Sequence, residues 1–234
     1  MSHLHLVNPE PRGDLFEAEL APSAPLPRGR HGIPADLVNA HQRRRLVAAM
    51  SGALAEHSYA RVTAKHVSER AGVSSRTFYK HFGNLWECLL AAYEDAGTQL
   101  CAEIESGCAE CGGLSPLEGG QSSTRLQSGI DAALAFLAVE PHLARLLGGQ
   151  PPLEAPALAA ARRSLVERLA TMLRQARDPA DDAIRPPGLE ERLIDAALSF
   201  VSAQVAAGNS DLTRLGPELT ELLAGPSLTP SQAR

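Results

Sequence analysis

Lysine is nearly missing from this chain. There are two among 234 residues, Lys65 and Lys80, and they lie fifteen positions apart. Aromatic residues are scarce at 4%. No run approaches the 18 or more apolar residues of a membrane span. The opening MSHLHLVNPEPRGD has no basic region followed by an apolar one, so no secretory signal is expected and the cytoplasm is the expected location. Four cysteines are too few for a disulfide scaffold at this length, and a cytoplasmic setting keeps them as thiols. Strand signals are absent. So are GxSxG, the P-loop, HExxH and the Gly-rich dinucleotide fingerprint, which argues against an enzyme.

The formal net charge of -5 conceals a split. Between Arg28 and Phe82 there are ten Lys and Arg against three acids, Asp36, Glu56 and Glu69. Both lysines and five of the eight histidines lie there. The rest of the chain is acidic. A basic segment on an acidic body points to a polyanion as partner.

Residues 1–34 hold six prolines and no sustained periodicity, and are expected to form a disordered arm. Its Arg28, Gly29 and Arg30 suit a DNA groove, although a solvated tail is the simpler role. After Pro34 nearly everything reads as helix. Leu46, Val47, Met50, Ala53, Leu54 and His57 recur at helical spacing. A short helix is expected from Ala64 to Arg70, with Thr63 as N-cap and Gly72 as its left-handed end. Ser74 suits the cap of the next helix, to His81. Asn84 suits the cap of a fourth, from Leu85 towards Cys101. The Gly/Ser/Pro-rich stretch 106–123 reads as a break. Further helices are expected over 124–139, just after Pro141, and over 157–177, 189–207 and 212–223. Residues 226–234 read as a frayed tail. The fold class is all-α. A small helix-turn-helix unit over 35–84 precedes a larger helical unit over 85–225.

The dodecamer AGVSSRTFYKHF (71–82) carries the chemistry. Two short helices joined by a Gly-containing turn make a helix-turn-helix, whose second helix suits a major groove. Phe78 and Phe82 are four apart and share an inward face. Ser75, Arg76, Tyr79 and Lys80 fall on the opposite face, a mixture suited to phosphates and base edges. An ordinary helical hairpin with a polar exterior is the plainer alternative.

At these residues the chain resembles the DNA-binding head of the TetR (tetracycline-repressor-like) family of bacterial transcription regulators. The match runs from Gln42 to about Leu90, through RRLVAAMSGALAEHSY, VTAKHVSERAGVS and TFYKHF. The resemblance implies DNA contacts from Thr63, Lys65, Ser74, Ser75, Arg76, Thr77, Tyr79, Lys80 and His81. Three positions depart from the pattern: Ser58 for a helix-ending Gly, Ser68 for Ala, and Leu85 for a phosphate-binding Lys. The resemblance further implies a homodimer on an inverted-repeat operator of double-stranded DNA, repression as the usual mode, and release by a small effector. An apolar or amphipathic effector is expected.

In the body, Leu193, Ala196, Ala197, Phe200, Val201 and Gln204 form a stripe that a partner helix or the chain's own core would cover. Tyr93, Phe136, His142 and Met172 are candidate effector contacts, with simple core packing as the alternative. Cys108 and Cys111 form a CxxC, with Cys101 and Cys88 upstream. That leaves open a metal or redox sensor, or a thiol oxidoreductase, but no second ligand pair exists and no metal or cofactor is expected. The fourth helix joins head to body. Trp86 and Tyr93, seven apart on it, are expected to share a face and relay effector binding.

Overall fold

Pro34 starts the first helix, α1 (Ala35–Glu56), which buries Leu46, Met50 and Ala53 at helical spacing. The computed structural model describes residues 34–57, 61–110, 121–149, 155–176 and 186–224. The proposed arm, Ser58, Cys111 and the tail lie outside them. The described residues form helices and no strand.

α2 (Ala64–Ala71) opens at Thr63, whose hydroxyl accepts from the His66 amide at 3.3 Å. It ends at Gly72, with φ 62°, where the Gly72 and Val73 amides donate to the Glu69 and Ser68 carbonyls at 3.1 and 3.0 Å. This double closure needs a left-handed residue, which only glycine supplies without strain. Ser74 then caps α3 (Ser75–His81), accepting from the Thr77 amide at 3.1 Å. Phe78 is fully buried beside Val67 and Leu46 in the core, and Phe82 follows it inward. Arg43 lies over the Phe82 ring, 5.1 Å from its centre.

α4 (Leu85–Glu110) has 26 residues and so spans about 39 Å. Asn84 accepts from the Glu87 amide at 3.0 Å, and Glu87 accepts from the Gly83 amide at 2.7 Å. Its head end packs on α1 and its far end on α5 (Gln121–Val139). The helix therefore runs through residues 106–110, where the sequence suggested a break. Gly107 survives inside it because α5 passes so close that a Cβ would collide with Ala132 and the Ser128 carbonyl.

α6 (Pro141–Gly148) starts with Pro at its first position, where no amide is needed. α7 (Pro156–Ala176) and α8 (Leu189–Ala206) complete the body with a 3-10 turn (Leu212–Leu215) and α9 (Gly216–Ala224). The single helix expected over 212–223 is thus split. Pro217 has no amide to donate to Thr213, so the tighter turn ends and a new helix starts. α6 touches α1, α4, α5 and α8, and so links body to head.

Candidate DNA-binding surface and body cavity

The nine residues assigned to DNA are divided by the structure into three groups. Lys65, Ser75, Arg76, Tyr79 and Lys80 are exposed. Tyr79 is 60% exposed, its ring set edge-on to Phe78 with centres 5.3 Å apart. Thr63, Ser74 and Thr77 are engaged at helix starts, and the Ser74 and Thr77 hydroxyls are 2.9 Å apart. His81 faces α1, with Nε2 3.3 Å from Gln42 Oε1. Burial, then Lys80 and Arg43, hold its pKa below the usual histidine value. Lys80 Nζ donates to Asn39 Oδ1 at 2.7 Å, tying α3 to α1. Lys65 lies 3.8 Å from Glu69, both well exposed.

The departures from the family pattern have simple local roles. Ser68 is buried and its hydroxyl donates to the Ala64 carbonyl at 2.6 Å. Leu85 is half-buried against the core.

The body holds an apolar cavity of about 120 Å³ between α4, α5, α7, α8 and α9. Leu100, Ile130, Leu134, Leu169, Ile194 and Val201 are among its walls. Beside it lies a vestibule of about 360 Å³, whose wall adds Glu105, Ala109 and Gln175. Cys108, Arg125, Met172 and Ala176 border both. Of the four expected effector contacts, Met172 lines this cavity. Tyr93 is buried elsewhere, and its hydroxyl donates to the Leu147 carbonyl at 3.4 Å. Phe136 is half-buried against the core and is not in the cavity wall. His142 lines a different space, a cleft of about 590 Å³ between α1, α2, α4 and α6. There its Nε2 is 3.1 Å from Glu140 Oε2. Burial lowers its pKa, Glu140 opposes that, and Arg70 adds to it. Arg125 escaped the sequence reading, and Cys108 was weighed there only as half of a CxxC. The only signal was one arginine beside the apolar stripe Leu126, Ile130, Leu134 and Leu137.

Residues 46–92 match the family model described as bacterial regulatory proteins, tetR family. The match covers the head alone, where the chain is similar to that family. No curated protein matches the chain. Among solved structures it resembles the fatty acid degradation regulator FadR from Bacillus halodurans. The TM-score is 0.64 at 20% identity, over 80% of this chain and 96% of that one. FadR from Bacillus subtilis, solved in complex with stearoyl-CoA, gives 0.60 at 20% identity, over 76% and 96%. A TetR-like regulator from Rhodococcus sp. RHA1 gives 0.58 at 16%, over 82% and 96%. At these identities the likeness is one of fold, and it extends well past the matched head.

The expected α8 stripe separates into two. Ala197 and Val201 join Ile194 and Val205 in the chain's own core. Leu193, Phe200 and Gln204 are half-buried and Ala196 is exposed. Of the cysteines, Cys88 is buried and its thiol is pushed up to about 12, chiefly by burial. Burial likewise raises Cys101. Such thiols stay protonated and are poor ligands and nucleophiles. Cys108 donates to the Arg125 carbonyl at 3.7 Å. Among the described residues no group of three or more His, Cys, Asp or Glu is placed to hold a metal ion. No described helix is long and apolar enough to cross a membrane. Trp86 is 38% exposed while Tyr93 is buried, so the two do not share surroundings. They share a helical face by spacing, yet only Tyr93 is covered.

Proposed function

We propose that this regulator binds operator DNA as a cytoplasmic homodimer and is released from it by an apolar or amphipathic small molecule held in the body. The carrying observation is the outward face of α3. Arg76, Tyr79 and Lys80 stand exposed on a helix fixed at its start by Ser74 and seated by Phe78. Arg76 is the base-reading residue and Lys80 the phosphate contact. Thr63, Lys65, Ser75 and Thr77 surround them, with His81 at the edge. Repression is the mode, since a dimer on an inverted repeat blocks the promoter it covers. The outer α8 residues Leu193, Ala196 and Phe200, with half-buried Leu222 on α9, supply an apolar face for a two-fold contact.

The effector reading rests on the apolar cavity, and a neighbour of the same fold carries stearoyl-CoA. The test is selection of bound sequences from random duplexes with the purified protein. An inverted repeat with half-sites about one helical turn apart, or a multiple of it, is expected. Recovery of no preferred sequence, with only weak binding to every duplex, would refute the operator reading.

A further inference from the structure

The cleft of about 590 Å³ between α1, α2, α4 and α6 shares no described wall with the apolar cavity. Its volume suits a small molecule. Four arginines line it, Arg43, Arg44, Arg45 and Arg70, against two carboxylates, Asp95 and Glu140. The carboxylates are engaged on their own side. Asp95 accepts from Gln99 at 2.8 Å, and Glu140 lies 3.1 Å from His142. Arg70 is paired with Glu56. Arg43, Arg44 and Arg45 have no carboxylate partner among the described residues. Arg43 and Arg44 are exposed and Arg45 is half-buried. Between the charged walls, Gly52 and the alanines of α1 and α4 are too short to fill the space.

Successive residues on a helix point about 100° apart, so one carboxylate cannot meet three consecutive arginines. A chain of phosphates can, because each guanidinium fork matches a phosphate. No Phe, Tyr or Trp lines the cleft, so a base finds nothing to stack on. Packed helices lie about 8–10 Å apart, and a duplex whose major groove alone is ~12 Å wide does not enter between them. We propose that this cleft is a binding site for a small linear polyphosphate, of the class of a di- or triphosphate, held by Arg43, Arg44 and Arg45. The site reads the phosphate chain and not what the chain carries. Its ligand touches α1 and α2 of the head and α6 of the body at once.

Calorimetric titration of the full chain with tripolyphosphate, ATP and sulfate, without DNA and at constant ionic strength, tests this. One tripolyphosphate should bind per chain, about tenfold or more tighter than sulfate and within about threefold of ATP. Arg44→Gln should weaken it by about ten- to a hundredfold, the range of a charge-assisted hydrogen bond. Asp95→Asn removes an opposing charge and should strengthen it by about two- to fivefold, a gain that unfolding cannot produce. Arg76→Ala, on the outward face of α3, should leave it unchanged. Absence of tripolyphosphate binding would overturn the proposal, and so would affinity no better than that of sulfate, the mark of unspecific attraction. Undiminished binding in a folded Arg44→Gln chain would overturn it too. Equal losses in the Arg44 and Arg76 variants would put the anion on the DNA-binding face and sink the cleft as its site. ATP bound more than about tenfold tighter than tripolyphosphate would show that the nucleoside is read, against the proposal. If Arg44→Gln melts below the assay temperature, the gain in Asp95→Asn and the preference over sulfate carry the test.

Discussion

Arg162 on α7 donates from Nη1 to the carbonyl oxygen of Leu147 at 2.7 Å, in the last turn of α6. The same nitrogen reaches the Gly149 carbonyl at 3.0 Å, while Nε and Nη2 hold Asp195 of α8 at 3.0 and 2.7 Å. The Leu147 carbonyl also accepts from Tyr93 of α4. One buried guanidinium thus fixes the end of α6 to α8, beside the helix that leads to the head. Gly148 lies between, where a Cβ would strike the Leu198 carbonyl, so α6 and α8 meet backbone to backbone. Arg162→Ala strands the Gly149 carbonyl, leaves the Leu147 carbonyl to Tyr93 alone, and unpairs Asp195, which remains half-exposed and can rehydrate. A loss of about 2–3 kcal/mol is expected, below the full cost of breaking a buried pair. Urea unfolding would measure it, and a loss under about 0.5 kcal/mol, typical of a surface site, would show the network to be dispensable.

On the DNA surface, Arg76→Ala should cost about 1–3 kcal/mol on the preferred operator and relax preference at one base position per half-site. Lys80→Ala should weaken all sequences alike and flatten the salt dependence. Its bond to Asn39 gives a control, because Asn39→Ala frees Lys80 without removing its charge. Competition binding at several salt concentrations separates the two roles. Identical behaviour of the Arg76 and Lys80 variants would mean that α3 is not divided into reading and anchoring residues.

Acid should loosen the head. The pKa of His81 is held down in the folded chain by burial and by Lys80 and Arg43, and that of His142 chiefly by burial. Below about pH 6.5 the unfolded chain takes up these protons more readily than the folded one. The stability they allow is complete above that value and declines as the pH falls. Urea midpoints at pH 7.5 and 5.5 should therefore differ more in wild type than in a His81→Gln, His142→Gln double variant. Equal acid sensitivity in the two would assign the effect to other groups.

Most of the head was legible in the sequence because its signals are local. Thr63, Gly72, Ser74 and Asn84 occupy the four helix ends that their side chains or backbone freedom suit. Phe78 and Phe82 announce the inward face by their spacing. The body is different. Leucine and alanine fill core and cavity wall alike, so the gap depends on how five helices meet and no single helix records it. Size misled for Tyr93 and Phe136, since bulky side chains fill space more often than they line it. The extent of α4 was hidden for a related reason. Gly107 reads as a breaker alone and becomes a packing residue only once α5 lies against it.

For the dimer, Phe200 is half-buried on α8 with Leu193 and exposed Ala196 beside it on the outer face. Phe200→Arg places a charge in the proposed two-fold contact while leaving inward Val201 in place. Monomers by light scattering, with tight operator binding lost and the thermal transition retained, are the expected result. A monomeric wild type would remove the contact altogether.

The last prediction joins cavity to head through α4. Leu100 and Ile104 line the cavity, and Cys88 and Leu89 lie buried at the head end of the same helix. The cavity, about 120 Å³, is smaller than the ~150 Å³ engineered cavity that accepts benzene, so about six carbons fit without moving its walls. A longer tail has to displace the α4 side chains, and it gains that burial only in the displaced form. Four further methylenes are worth about 3 kcal/mol per site, or roughly 6 for two sites in a dimer, at ~0.8 kcal/mol each. Inverting a two-state population takes ~5.5 kcal/mol. DNA release at saturating ligand should therefore switch on between hexanoate and decanoate, while affinity climbs smoothly across the same series. The emission of the sole tryptophan, Trp86, at the head end of α4, should change with release and not with occupancy. Because Trp86 is part-exposed, Trp86→Ala should leave the melting temperature within a few degrees of wild type. Saturating hexanoate that releases DNA as completely as decanoate would show that no wall has to move, and α4 would not be the lever.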